Sequence, residues 1–93
     1  MPEFRKNTAG QRYEILEGGQ VVGHLAYEEA APGILDLTHT EVDPGQQGRG
    51  LGGLLAEYAL ADIRAMGARA IPTCTFIVKY MDEHPETADL RAP

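Results

Sequence analysis

The sequence predicts an α/β domain, a sheet with helices packed on it, in the order β-β-β-loop-α-β-α. Three observations predict it. Three segments between Arg12 and Val42 are rich in β-formers and are separated by glycine-bearing turns. A glycine run then interrupts the chain between Gly45 and Gly53. Behind it, apolar residues recur at three- and four-residue spacing, the period of a helix with one buried stripe.

The first ten residues are polar and are expected to be loose, as are residues 88–93. Arg12–Leu16 alternates weakly, and Glu17-Gly18-Gly19-Gln20 supplies turn chemistry before Val21–Glu28. Two short strands around Gly-Gly predict a hairpin. After the turn Glu29–Gly33, the segment Ile34–Val42 is a third strand. Strict alternation puts Leu35, Leu37, His39 and Glu41 on one face and Asp36, Thr38 and Thr40 on the other. The helix carries Leu51, Leu54, Leu55, Tyr58, Ala59, Ile63 and Met66 on its stripe, and Gly67 stands where a left-handed cap would end it. Ala70–Cys74 is a fourth strand, which Pro72 confines to an edge or an irregular pairing. Thr75 caps a short helix, Phe76–Glu83, closed by Pro85 because the residue before a proline is biased out of helical geometry.

Ninety-three residues, 43% of them hydrophobic, suit one small domain and leave no room for a second. No apolar run approaches the roughly 18–20 residues of a membrane span, and the first residues lack the apolar core of a signal peptide. A cytoplasmic protein with no membrane partner is expected. Fourteen acidic against eight basic residues give a net charge of −6, which argues against nucleic-acid binding and is compatible with a cationic amine as substrate. Cys74 is the single cysteine, so no internal disulfide forms. His24, His39 and His84 are scattered without metal-ligand spacing, and no metal is expected.

The run Val42-Asp43-Pro44-Gly45-Gln46-Gln47-Gly48-Arg49-Gly50-Leu51-Gly52-Gly53 joins a strand to a helix start. Glycines there let the backbone bend and approach a ligand, and the first helical amides have no intrahelical partner. With the helix dipole behind them they suit a phosphate or pyrophosphate. Gly48, Gly50 and Gly53 match G-x-G-x-x-G formally, but a dinucleotide site wants an acid about 20 residues on, and Ile71–Thr75 offers none. Without Gly-Lys-Ser/Thr a P-loop is excluded too.

Gln47-Gly48-Arg49-Gly50-Leu51-Gly52 fits the pattern Arg/Gln-x-x-Gly-x-Gly/Ala and, preceded by Val42-Asp43-Pro44, resembles the acetyl-CoA pyrophosphate loop of the GNAT acetyltransferase superfamily. Arg12-Tyr13-Glu14, Leu37–Val42, Ala59-Leu60-Ala61, Pro72-Thr73-Cys74, Tyr80 and His84-Pro85-Glu86 extend the likeness to the small single-domain members, from about Asn7 to Leu90. Thr75 and Thr87 depart from the Pro and the aromatic usual in that group. The resemblance implies a minimal GNAT-like fold with a mostly antiparallel sheet and one acetyl-CoA-binding domain over 1–93. It implies N-acetyl transfer to a small-molecule or peptide amine by a monomer or weak homodimer. The alternative is a CoA-binding module with little or no catalysis. The N-terminal helices of larger members have no room before Arg12, which leaves the acceptor site open or partner-dependent.

Cofactor contacts are expected from Val42, Gln47, Gly48, Arg49, Gly50, Leu51 and Gly52. Arg49 is either a side-on phosphate contact or a solvated loop arginine. In the family's fold the cysteine lies where two strands splay around the pantetheine arm. Cys74 is there either an acyl-accepting nucleophile, helped by the helix start that follows it, or a small pocket-lining hydrophobe. Glu41 and His39 are candidate bases for an ammonium substrate, Glu41 favoured by its place beside the loop; their alternatives are a solvated strand end and a half-buried histidine. Tyr80 is the position from which the family's tyrosine protonates the departing thiolate, with core packing beside Phe76 and Ile77 as its alternative.

Overall fold

A computed structural model describes residues 2–93. Arg12–Glu17 (β2) and Gln20–Ala31 (β3) form the expected hairpin, with Gly18 and Gly19 at φ +57° and +81°, a left-handed pair that a side chain would strain. Ile34–Val42 (β4) pairs antiparallel with β3, and Arg69–Pro72 (β5) pairs parallel with β4. Leu51–Ala65 (α1) makes the crossover, and Thr75–Glu83 (α2) follows β5. The fold is the predicted mixed α/β arrangement with a mostly antiparallel sheet.

Two corrections concern the ends of the chain. Residues 3–7, expected to be loose, are a strand, Glu3–Asn7 (β1), paired antiparallel with β2. The sheet therefore has five strands in the order β1-β2-β3-β4-β5. Although polar overall, β1 alternates: Phe4 stacks on Tyr58 at 4.9 Å and Lys6 meets Asp62 at 2.9 Å, while Arg5 and Asn7 turn to the opposite face and reach Glu14. At the other end Pro85–Leu90 forms a 3-10 turn that buries Thr87 and Leu90. The Ala92 amide then donates to Ala70 O at 2.8 Å, so this segment too is tied down.

Both helices lie on one face of the sheet and share one core. Tyr13, Ile15, Leu25, Tyr27, Leu35 and Leu37 of the sheet meet Leu55, Ala59 and Ile63 of α1 and Ile77 and Met81 of α2. The stripe on α1 is rotated from the expected one. Ala56 and Leu60 are buried, while Leu54 and Met66 stand at 36% and 47% exposure. At 100° per residue Leu54 falls about 60° outside the buried arc, whereas Met66 points along it but stands past Ala65, the last helical residue, as the cap.

A bulge decides the far half of β4. Ala26 pairs with His39 and Tyr27 with Leu37, so Thr38 has no opposite residue. One extra residue reverses the facing of everything after it. Leu35 and Leu37 enter the core as predicted, but His39 and Glu41 emerge on the helix-free face and are exposed. Thr40, opposite the fully buried Leu25, turns to the helix side instead. The single face expected for Leu35, Leu37, His39 and Glu41 is broken at Thr38.

Candidate functional site

Gly48 takes φ +88° and Gly50, the residue before α1, φ +74°, conformations that a β-carbon would strain. A 3-10 turn at Pro44–Gln46 leads into them, and Gln47 Nε2 donates to Val42 O at 3.3 Å, tying the loop to the end of β4. The amides of Gly48 through Gly53 make no hydrogen bond among the described residues. No side chain caps α1, and the space beside Gly48, Gly50 and Gly53 is open. Six amides without a partner among the described residues form an open cradle at the positive end of a fifteen-residue helix, and helix ends of this kind favour anions in general.

Beside this cradle the sheet opens. Parallel pairing of β4 with β5 ends at Leu37 opposite Pro72, where the chain turns off through Thr73. Cys74, expected to end the strand, lies beyond it as the residue capping α2, with its amide on Leu37 O at 2.9 Å. Beyond that bond residues 38–42 of β4 have no strand on this side among the described residues. The Cys74 sulfur faces this gap, 3.5 Å from Thr40 Oγ1. Partial burial pushes the thiol pKa up, but the Thr40 hydroxyl and the amides of Ile77 and Phe76 outweigh it and hold the pKa below the ordinary value. Thr40 is the residue that sequence reading missed. A bulge leaves no periodic signal, so nothing in the sequence moved Thr40 to this face.

A family model described as GCN5-related N-acetyl-transferase matches residues 12–90. The chain belongs to this family. Protein NATD1 of Homo sapiens is 41% identical over 61 residues, covering 66% of this chain and 54% of that protein. For the Gallus gallus protein the identity is the same and the covered share is 56%. The match thus spans little more than half the length of these relatives. Among solved structures, a GCN5-like protein from Staphylococcus aureus superimposes with a TM-score of 0.71 over 97% of this chain and 87% of its own, at 16% identity, a likeness of fold. A GNAT family acetyltransferase from Brucella melitensis, solved in complex with acetyl-CoA, gives a TM-score of 0.60 at 28% identity, covering 81% of this chain and 55% of that one.

In this GCN5-related chain the expected site residues fall in four places. Val42, Gln47, Gly48, Arg49, Gly50, Leu51 and Gly52 are together in and around the cradle. Gly52 touches the ring of Phe76, where a β-carbon would come within 2.9 Å, so the first turns of α1 and α2 are in contact. Arg49, however, has its guanidinium on Glu17 and Gln46. Cys74 stands with Thr40 in the gap. His39 and Glu41 pair with each other at 3.3 Å on the helix-free face, and His24 lies 6.2 Å from His39 between ring centres. Tyr80 is apart from all of these. It stacks on His84 at 3.8 Å, bordering a depression of about 150 Å³ that Glu57, Arg64 and Glu86 also line. Burial, with Glu57 and Glu86 adding to it, raises its hydroxyl pKa.

No helix among the described residues is long and apolar enough to cross a membrane. No group of three or more His, Cys, Asp and Glu side chains among them is placed to hold a metal.

Proposed function

We propose that this chain binds acetyl-CoA through residues 47–52 and transfers its acetyl group to an amine. The carrying observation is the run of six unpartnered amides at the start of α1, whose donors and open space fit a pyrophosphate. Family membership and the acetyl-CoA complex of the Brucella melitensis relative support the same ligand. Bound there, acetyl-CoA supplies an activated thioester carbonyl.

The chain's own residues divide the remaining work. On the side away from β3, the β4 backbone from Thr38 to Val42 has no neighbouring strand among the described residues and offers hydrogen-bonding groups to an extended ligand arm entering the gap. Cys74 lines that gap with a thiol whose pKa is held below its ordinary value, and the thiolate is the form in which a sulfur accepts an acyl group. The exposed Glu41–His39 pair is open to water and to an ammonium acceptor, from which it takes the proton that must leave before the amine attacks. Tyr80 serves packing between α2 and the Pro85–Leu90 turn, which its stacking on His84 supports. A cytoplasmic setting and a small or peptidic amine acceptor complete the reading.

One observation favours the alternative of a CoA-binding module with little catalysis: His39 and Glu41 stand on the helix-free face, opposite the side on which Cys74 meets Thr40. Calorimetry and thermal shift with CoA, acetyl-CoA and NAD test binding, and stabilisation by the CoA species alone is expected. No shift from any of them overturns the reading. Thiol release in the presence of small amines or basic peptides separates an enzyme from a binder. Mass spectrometry after acetyl-CoA exposure reports whether Cys74 carries an acetyl group.

A further inference from the structure

Arg49 sits between Gly48 and Gly50, the two residues that bend the cradle, and both terminal nitrogens of its guanidinium are engaged elsewhere. Nη1 donates to Glu17 Oε1 and to Gln46 Oε1, and Nη2 donates to Glu17 Oε2 at 2.8 Å. This is a fork-on-carboxylate pair, the geometry that an arginine makes and a lysine does not. Glu17 belongs to neither the loop nor α1. It ends β2, next to the Gly18-Gly19 turn, 32 residues away in sequence. From Gly48 to Gly53 the backbone donates no hydrogen bond, so the Arg49 side chain supplies this stretch's hydrogen-bonded tie to the sheet, beside the packing of Leu51 in the core. Gln47 anchors only the loop's beginning.

We propose that Glu17 and Arg49 form a clamp that shapes the amide cradle, so that Arg49 serves the anion site by holding the loop and not by touching phosphate, with Glu17 as its positioning residue. The inference rests on the acetyl-CoA reading of the cradle. If Arg49 swung to a pyrophosphate, Glu17 would be left as an unpaired negative charge within one arginine's length of the anion, an unfavourable exchange. Held in place, the fork limits the motions of a glycine-rich loop, and less freedom is then lost when ligand binds.

The test titrates CoA calorimetrically into the wild-type chain, Glu17→Gln, Arg49→Gln, Arg49→Lys and the Glu17→Gln/Arg49→Gln double variant. A clamp predicts that each single variant, Arg49→Lys included, weakens CoA about fivefold. The double variant is then no weaker than either single, because both remove the same constraint. Backbone order parameters of Gly48–Gly53 in the free protein fall in all the variants, a change that a stability effect alone does not produce. Arg49→Lys retaining wild-type affinity, or Glu17→Gln binding more tightly, shows that Arg49 acts as a charge on phosphate and overturns the clamp. Unchanged order parameters overturn it as well. Failure of the wild-type chain to bind CoA instead defeats the cosubstrate reading, and the clamp's role in ligand binding falls with it.

Discussion

Two glutamates three residues apart on β2 each face arginine, and they do opposite things. Glu14 is 1% exposed on the helix-free face and accepts from Arg5, Arg12 and Asn7. Glu17 is partly open and has Arg49 as its partner. The Glu14 carboxylate is cut off from water, so its three partners are a condition of folding the edge of the sheet. Glu17 keeps access to water, so its pair contributes little to folding and instead sets where the loop lies. The β1–β2 edge stores stability in a closed polar network, while the glycine-loop end leaves its donors free for something else. A region that satisfies all its polar groups cannot also bind.

The largest effect is expected at Glu14. Burial pushes its pKa up, but hydrogen bonds from Arg12, Arg5 and Asn7 and the charge of Arg5 outweigh burial and hold it at about 2. A carboxylate held below its unfolded value contributes stability that is full above that value. The contribution is lost as pH falls from about 4.5 towards 2. Glu14→Gln should lower stability at pH 7 by about 2 kcal/mol, read as a lower urea midpoint. The variant should also lack wild type's share of acid destabilisation in that window. An unchanged midpoint breaks the contrast between the two glutamates.

At the open end Gly50→Val comes next, because a β-branched residue at φ +74° strains the start of α1 by about 1–3 kcal/mol. A loss of CoA affinity of tenfold or more should accompany it, since the amides around it change direction. Glu17→Gln should leave the thermal midpoint within about 2 °C of wild type while CoA binding weakens, the inverse of the Glu14 result. Thr40→Val is the mildest. It removes one hydroxyl from beside the Cys74 sulfur, so the pH midpoint of iodoacetamide alkylation should move upward with the fold intact. A midpoint that stays put would mean that the α2 amides alone lower the thiol pKa.

Much of this protein was legible before folding was considered. The Gly18-Gly19 hairpin, the α1 helix, the Pro72 edge strand and the glycine loop are local patterns carried by neighbouring residues, although the buried stripe of α1 is rotated from the one its apolar spacing suggests. The family resemblance pointed to the cradle that the loop forms. β1 was missed because Glu3, Arg5, Lys6 and Asn7 suggest a tail. Only β2's free edge, with Tyr58 beneath and Glu14 opposite, makes their alternation useful. The faces of β4 were predicted correctly up to Leu37 and wrongly beyond it, since one unpaired residue shifts the count without altering the pattern.

By itself the sequence determined most of the elements and the place of the glycine loop at a helix start, because hydrophobic period, turn chemistry and helix-end donors are properties of neighbouring residues. Tertiary structure decided the company each functional side chain keeps. It paired Arg49 with Glu17, turned Thr40 towards Cys74, and left His39 and Glu41 on the open face. Those choices depend on strand register and on chain segments more than thirty residues apart meeting in space, which no local pattern encodes.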